Sequence, residues 1–200
     1  MKWIIGIDEV GRGPLAGPVY VCAAAMPVSL YKKTAWRKNL PLLTDSKRMN
    51  AHNRMLWYQH AAKLKKEGCV RYALASKSAH DIDMHGITTC ISLCITKVLR
   101  DLKLDPEDCT VLLDGGLKAP FMYTQQTVIK GDLLHPIISL ASVIAKVSRD
   151  TVLARLHLKH PEYSWNTNKG YGTKAHTDAL RTQGITTLHR KTYLRKYLTK

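Results

Sequence analysis

The sequence predicts a mixed α/β sheet flanked by helices, and three observations carry that prediction. Short β-branched apolar runs alternate with longer segments of helical spacing. Three strand ends carry acids beside glycines or a turn, at Asp8-Glu9, Asp114-Gly115 and Gly131-Asp132. The first run, residues 4–10, breaks at once into the Gly/Pro turn Gly11-Arg12-Gly13-Pro14-Leu15-Ala16-Gly17-Pro18. Ligands of such sheets gather where strand ends meet, so these acids place the site.

The elements follow in order. Residues 2–9 read as the first strand, and residues 19–26, again apolar, as a hairpin-like return. Residues 27–43, with two prolines and four basic residues, read as an exposed loop. A helix is expected over 50–67, with Asn50 as N-cap, Leu56, His60 and Leu64 on one face, and Gly68 as its stop. Residues 69–76 are a third strand. From 79 to 102 helical spacing places Met84, Ile87, Ile91, Cys94, Ile95, Val98 and Leu102 on one face. Residues 110–116 and 124–130 give a fourth and a fifth strand, and residues 136–156 a helix with proline in its first turn. Residues 157–173 read as loop, followed by a short helix and a basic tail. The whole, residues 1–200, reads as one domain, with about 157–200 as a loop plus helical basic appendage.

Composition narrows the partners. The chain has 200 residues, is 45% hydrophobic, and carries a formal charge of +16. That excess favours a polyanion, nucleic acid first and an anionic membrane surface second. Five cysteines form no Cys-x-x-Cys pair, which suits a reduced compartment, and Cys90 and Cys94 fit a helix core. The opening apolar run is too short for a signal peptide, and no stretch is long enough to cross a bilayer. A soluble, cytoplasmic monomer is expected.

Asp8, Glu9, Asp114 and Asp132 form an oxygen-only set suited to Mg²⁺ or Mn²⁺. Four carboxylates exceed what one such ion takes from protein. Two ions would use them all, in a site for phosphodiester hydrolysis. A salt bridge from Arg12 to Asp8 or Glu9 is the plainer use of the pair. Neighbouring strand residues also point to opposite faces, so Asp8 and Glu9 share a centre only where the strand bends or ends. Gly11, Arg12 and Gly13 suit close approach to a sugar–phosphate, Lys47 and Lys146 could meet phosphates, and Tyr171 stands between two glycines in a loop. The turn lacks the Gly-Lys-Ser/Thr ending of a nucleoside-triphosphate loop.

Several blocks together resemble the bacterial-type ribonuclease HII family. They are the 6–19 stretch, Asp45-Ser46-Lys47, Leu113-Asp114-Gly115, Gly131-Asp132 with the 141–150 stretch, the 170–176 stretch, and His189-Arg190. The resemblance implies a ribonuclease H-like fold. It also implies hydrolysis of RNA in RNA/DNA hybrids and incision at single ribonucleotides in DNA, leaving 3′-hydroxyl and 5′-phosphate ends. It assigns metal binding to Asp8, Glu9, Asp114 and Asp132, and reading of the 2′-hydroxyl to Gly11, Arg12, Gly13 and Tyr171. Gly172 stands where the family has proline, residues 83–87 depart from its usual Asp-x-Ile-Asn-Ile, and the basic stretch 32–38 has no counterpart. Two other classes fit parts of the sequence: a non-catalytic nucleic-acid-binding module, and a carboxylate-dependent DNA exonuclease of related fold. Only the exonuclease would degrade all-DNA duplexes from an end.

Overall fold

A computed structural model describes residues 1–198. Its centre is a five-stranded sheet of order β3-β2-β1-β4-β5. The strands are β1 (Trp3–Val10), β2 (Val19–Pro27), β3 (Arg71–Lys77), β4 (Cys109–Asp114) and β5 (Thr124–Val128). β1 pairs antiparallel with β2 and β2 with β3, while β1–β4 and β4–β5 run parallel. The expected mixed sheet is therefore observed. The helices are α1 (Val28–Tyr31), α2 (Ala51–Lys66), α3 (Ala79–His85), α4 (Ile87–Asp101), α5 (Gly131–Leu134), α6 (Pro136–Lys159), α7 (Trp165–Asn168), α8 (Lys174–Gln183) and α9 (Lys191–Leu198).

Period-two alternation divides β1 between two cores. Ile5 and Ile7 join Cys90, Ile91, Cys94, Ile95 and Val98 of α4 on one face. On the other, Ile4 packs with Ile137, Leu140, Ala141 and Ile144 of α6, and with Trp57, Ala61 and Leu64 of α2. Gly6 lets α6 cross the sheet closely, because a Cβ there would sit 2.4 Å from the Ile137 carbonyl carbon. A third cluster of Leu15, Ala16, Leu153, Tyr163, Trp165, Leu180 and Leu194 fastens the C-terminal third to the turn after β1.

Four local expectations are corrected. The 79–102 segment is two helices bent by 114°. Gly86 at φ 78° and ψ 152° breaks them, and Met84 is left exposed rather than in the core. In α2 the buried face is Trp57, Ala61 and Leu64, because Trp57 brings more apolar area than Leu56 and its indole N–H donates to the Pro41 carbonyl. Residues 27–43 are not plain loop: α1 and a 3₁₀ turn at Thr34–Arg37 bury Trp36. Residues 157–173 include α7 and a 3₁₀ turn at Pro161–Tyr163, and bury Tyr163 and Trp165. Asn50 caps α2 as expected, its side chain accepting the Asn53 amide at 2.8 Å. The basic tail becomes α9, with residues 199–200 outside the described residues. Among the described residues no single helix is long and apolar enough to cross a membrane.

Candidate active site

The parallel pairing of β1 and β4 ends at Ile7 and Leu113. Asp8, still within β1 and paired with Cys22 of β2, and Asp114, the last residue of β4, therefore lie just past the last parallel pair, on adjacent strands. Asp8 is buried, its carboxylate accepting the Glu9 amide at 2.8 Å. Ser142 of α6, whose hydroxyl lies 2.8 Å from that of Ser46, also hydrogen-bonds Asp8. Asp114 Oδ1 accepts the Gly131 amide at 2.7 Å, which ties the start of α5 to the end of β4. Asp132 follows in the first turn of α5, its carbonyl accepting the Ser139 hydroxyl at 2.6 Å.

Electrostatics binds these acids into one group. Burial, with Glu9 and Asp114 adding repulsion, pushes Asp8 up to about 8. Burial also raises Glu9, against the Arg12 guanidinium and with Asp114 adding to the rise. Asp132 is pushed up to about 6 by burial, then by Asp114 and Asp45. Asp114 is the neighbour common to all three. Glu9 pairs with Arg12 at 3.6 Å, so the plainer salt bridge does form. Arg12 is half-exposed, and a pair of that kind contributes little.

Behind the acids, two buried arginines hold the 11–18 turn through backbone carbonyls. Arg149 of α6 donates to the carbonyls of Pro18 (2.9 Å), Ala16 (3.2 Å) and Lys169 (2.9 Å). Arg190 donates to Gly11 (2.6 Å), Arg12 (2.9 Å) and Gly17 (2.9 Å). Gly11 has φ +88°, and a Cβ on it would meet Arg149 Nε at 2.3 Å. Gly170, at φ +83°, accepts the Leu15 amide at 2.8 Å and leaves no room for a Cβ against the Ala16 carbonyl. That contact seats Tyr171 over the turn, its ring 3.9 Å from where a Gly13 Cβ would be. Tyr171 and Gly172 are exposed, though a Cβ added at Gly172 would meet Leu15 at 2.9 Å.

The sequence model of Ribonuclease HII matches residues 5–197. A ribonuclease HII of Pelagibacter ubique is 40% identical over 195 residues, 96% of each chain. One of Wolbachia pipientis wMel is 37% identical over 190 residues, 95% of this chain and 89% of its own. The chain belongs to the ribonuclease HII family. It is accordingly a ribonuclease H, an endonuclease that hydrolyses phosphodiesters. Solved structures repeat the fold: the Pyrococcus horikoshii OT3 ribonuclease H2 has a TM-score of 0.74 at 21% identity, covering 98% of this chain and 96% of its own. Bst-RNase HIII, solved in complex with Mn²⁺, has a TM-score of 0.72 at 18% identity, covering 98% and 69%.

Within this ribonuclease HII the site gathers Asp8, Glu9, Asp114 and Asp132, with Gly11, Arg12, Gly13 and Tyr171 beside them. Lys47 is exposed and near enough to Asp132 to lower it, so it stays available to a phosphate. Lys146 is mostly buried and turned to Asp150 at 2.9 Å. Sequence reasoning gives no separate role to Asp45, which shares a hydrogen bond with Asp132. Its signal is its place just ahead of the α2 cap. Arg149 and Arg190 are given no role because the turn carbonyls they hold lie more than a hundred residues away in sequence.

The donor set fits a hard divalent cation. It is oxygen-only, and a proton or a cation must compensate Asp8. Among the described residues no three His, Cys, Asp or Glu side chains stand close enough together to hold a metal ion.

Proposed function

We propose that this ribonuclease HII cleaves the RNA strand of RNA/DNA hybrids and incises duplex DNA at single embedded ribonucleotides. Hydrolysis would use two Mg²⁺ or Mn²⁺ ions held by Asp8, Glu9, Asp114 and Asp132, and leave 3′-hydroxyl and 5′-phosphate ends. Bound there, such ions supply an activated water and charge compensation for the phosphate. The carrying observation is that three acids of the group share one neighbour, Asp114, beside the turn that meets Tyr171. The turn's exposed backbone would approach the ribose, Arg12 would grip a phosphate, and Tyr171 would pack on the sugar carrying the 2′-hydroxyl. Asp45 and Lys47 also set the charge around Asp132.

A purely binding protein has no use for several acids grouped around Asp114, since ionised acids there lower affinity for a polyanion. Asp8→Asn and Asp132→Asn separate the readings. Each removes one carboxylate from the proposed metal site and leaves the basic surface intact, so cleavage should fall at least a hundredfold while hybrid binding is kept. Wild-type cleavage in Mg²⁺ by either variant would remove that carboxylate from the site.

A further inference from the structure

Beneath Tyr171 lies a buried pair of imidazoles that the hydrolysis does not use. His176 and His189 are 0% and 1% exposed, packed around Trp165 and Tyr163. The Tyr171 carbonyl can only accept, so His176 Nδ1, 2.9 Å away, carries a proton. The neutral ring then has a bare Nε2. Two groups reach it at 3.1 Å, the Trp165 indole N–H and His189 Nε2. His189 Nε2 must therefore donate, which leaves its Nδ1 bare. That atom accepts the Thr186 amide at 3.0 Å. Only one direction of donation avoids two lone pairs or two protons facing each other, the two donors at His176 Nε2 sharing its one lone pair, and it runs from Thr186 through both rings to Tyr171.

We infer that His176 and His189 are positioning residues for Tyr171, a directed hydrogen-bond chain that fixes the peptide plane after the tyrosine and so aims its ring at the substrate. The inference rests on the reading of Tyr171 as a ribose contact. The Tyr171 carbonyl accepts the Thr173 amide at 2.8 Å as well as the His176 ring, which makes a tight turn around Gly172. Glycine leaves that peptide free to rotate, whereas two donors on one carbonyl stop it. An apolar plug of equal volume would fill the space without choosing an orientation, whereas a fully satisfied polar network specifies one. The same rings lie beside the 11–18 turn, since Ala16 and His189 form a β-bridge. Turn and tyrosine are thus held by one framework.

Imidazole ¹⁵N spectra at pH 7 and nicking assays on a duplex with one internal ribonucleotide test this together. The spectra should show one buried ring protonated at Nδ1 and the other at Nε2. Two rings of the same tautomer, or a doubly protonated one, would overturn the chain. His176→Gln removes the donor to Tyr171 and should lower kcat about tenfold. His176→Asn keeps a donor near the Nδ1 position and should restore kcat to within about threefold of wild type. In a Tyr171→Ala background, His176→Gln should slow nicking by no more than roughly twofold. Additive losses, or equal losses in Gln and Asn variants, would make the pair a folding element only. Normal nicking by Tyr171→Ala would instead sink the reading of the tyrosine, and the positioning role with it.

Discussion

Two glycines of the 11–18 turn look alike in sequence and differ in what surrounds them. At Gly11 the positive φ and the Arg149 side chain both exclude a Cβ, and the Pro18 carbonyl lies 2.9 Å from it. Gly11→Ala should cost about 2 kcal/mol or more of stability, read as a lowered melting temperature. At Gly13 the nearest atom to an added Cβ is on the Tyr171 ring at 3.9 Å, an ordinary contact, and φ is not positive. Gly13→Ala should melt within about 0.5 kcal/mol of wild type. It should still nick an embedded ribonucleotide on the order of tenfold more slowly, because the methyl group would enter the space proposed for the ribose. A Gly13→Ala protein that nicks normally would remove this backbone from ribose contact. The nearness of the four acids was legible at this scale because each follows or closes an apolar run, where a carboxylate needs a reason to be. Asp45 was not, since an acid ahead of a helix is ordinary and only the fold carries it to Asp132. The order of the two histidine tautomers was equally hidden, because it depends on a carbonyl and an amide brought in by separate loops.

Among elements, α6 does most to assemble the site. Its first turns cross β1 at Gly6, its Ser142 reaches Asp8, and its Arg149 holds the turn. Gly6→Ala would push a Cβ into the Ile137 backbone, where no side chain can yield. We expect about 2–4 kcal/mol of destabilisation by denaturant unfolding, with any residual activity reduced as α6 moves off the strand. An unchanged unfolding midpoint would mean that the helix does not depend on that close approach. The strands and α6 were readable from apolar runs and glycine punctuation. The break between α3 and α4 was not, because the apolar spacing continues across Gly86 and only its backbone conformation ends the helix. Asp83 gains a purpose from the same break: its carboxylate accepts the Lys191 and Thr192 amides at 2.8 and 3.0 Å, and so caps α9. The part of the third core cluster within 157–173 was read as loop because Tyr163 and Trp165 stand there without a helical or alternating apolar period.

Over the whole molecule the formal charge of +16 surrounds a small acidic centre. Binding of hybrid and of plain DNA should weaken with salt at similar slopes, since counterion release depends on phosphates rather than on the sugar. A flat response in a filter-binding or anisotropy titration would assign the charge to something other than a nucleic-acid backbone. In the proposed function, discrimination between ribose and deoxyribose falls to the few atoms of the turn and Tyr171, and hydrolysis to the acids beside them. The most direct measurement is therefore cleavage of three end-labelled duplexes in Mg²⁺: one with a single internal ribonucleotide, one RNA/DNA hybrid, and one all DNA. We expect one nick beside the ribonucleotide with 3′-hydroxyl and 5′-phosphate ends, cleavage along the RNA strand of the hybrid, and an intact all-DNA duplex. Degradation of the all-DNA duplex, or an uncut single-ribonucleotide duplex, would contradict the assignment.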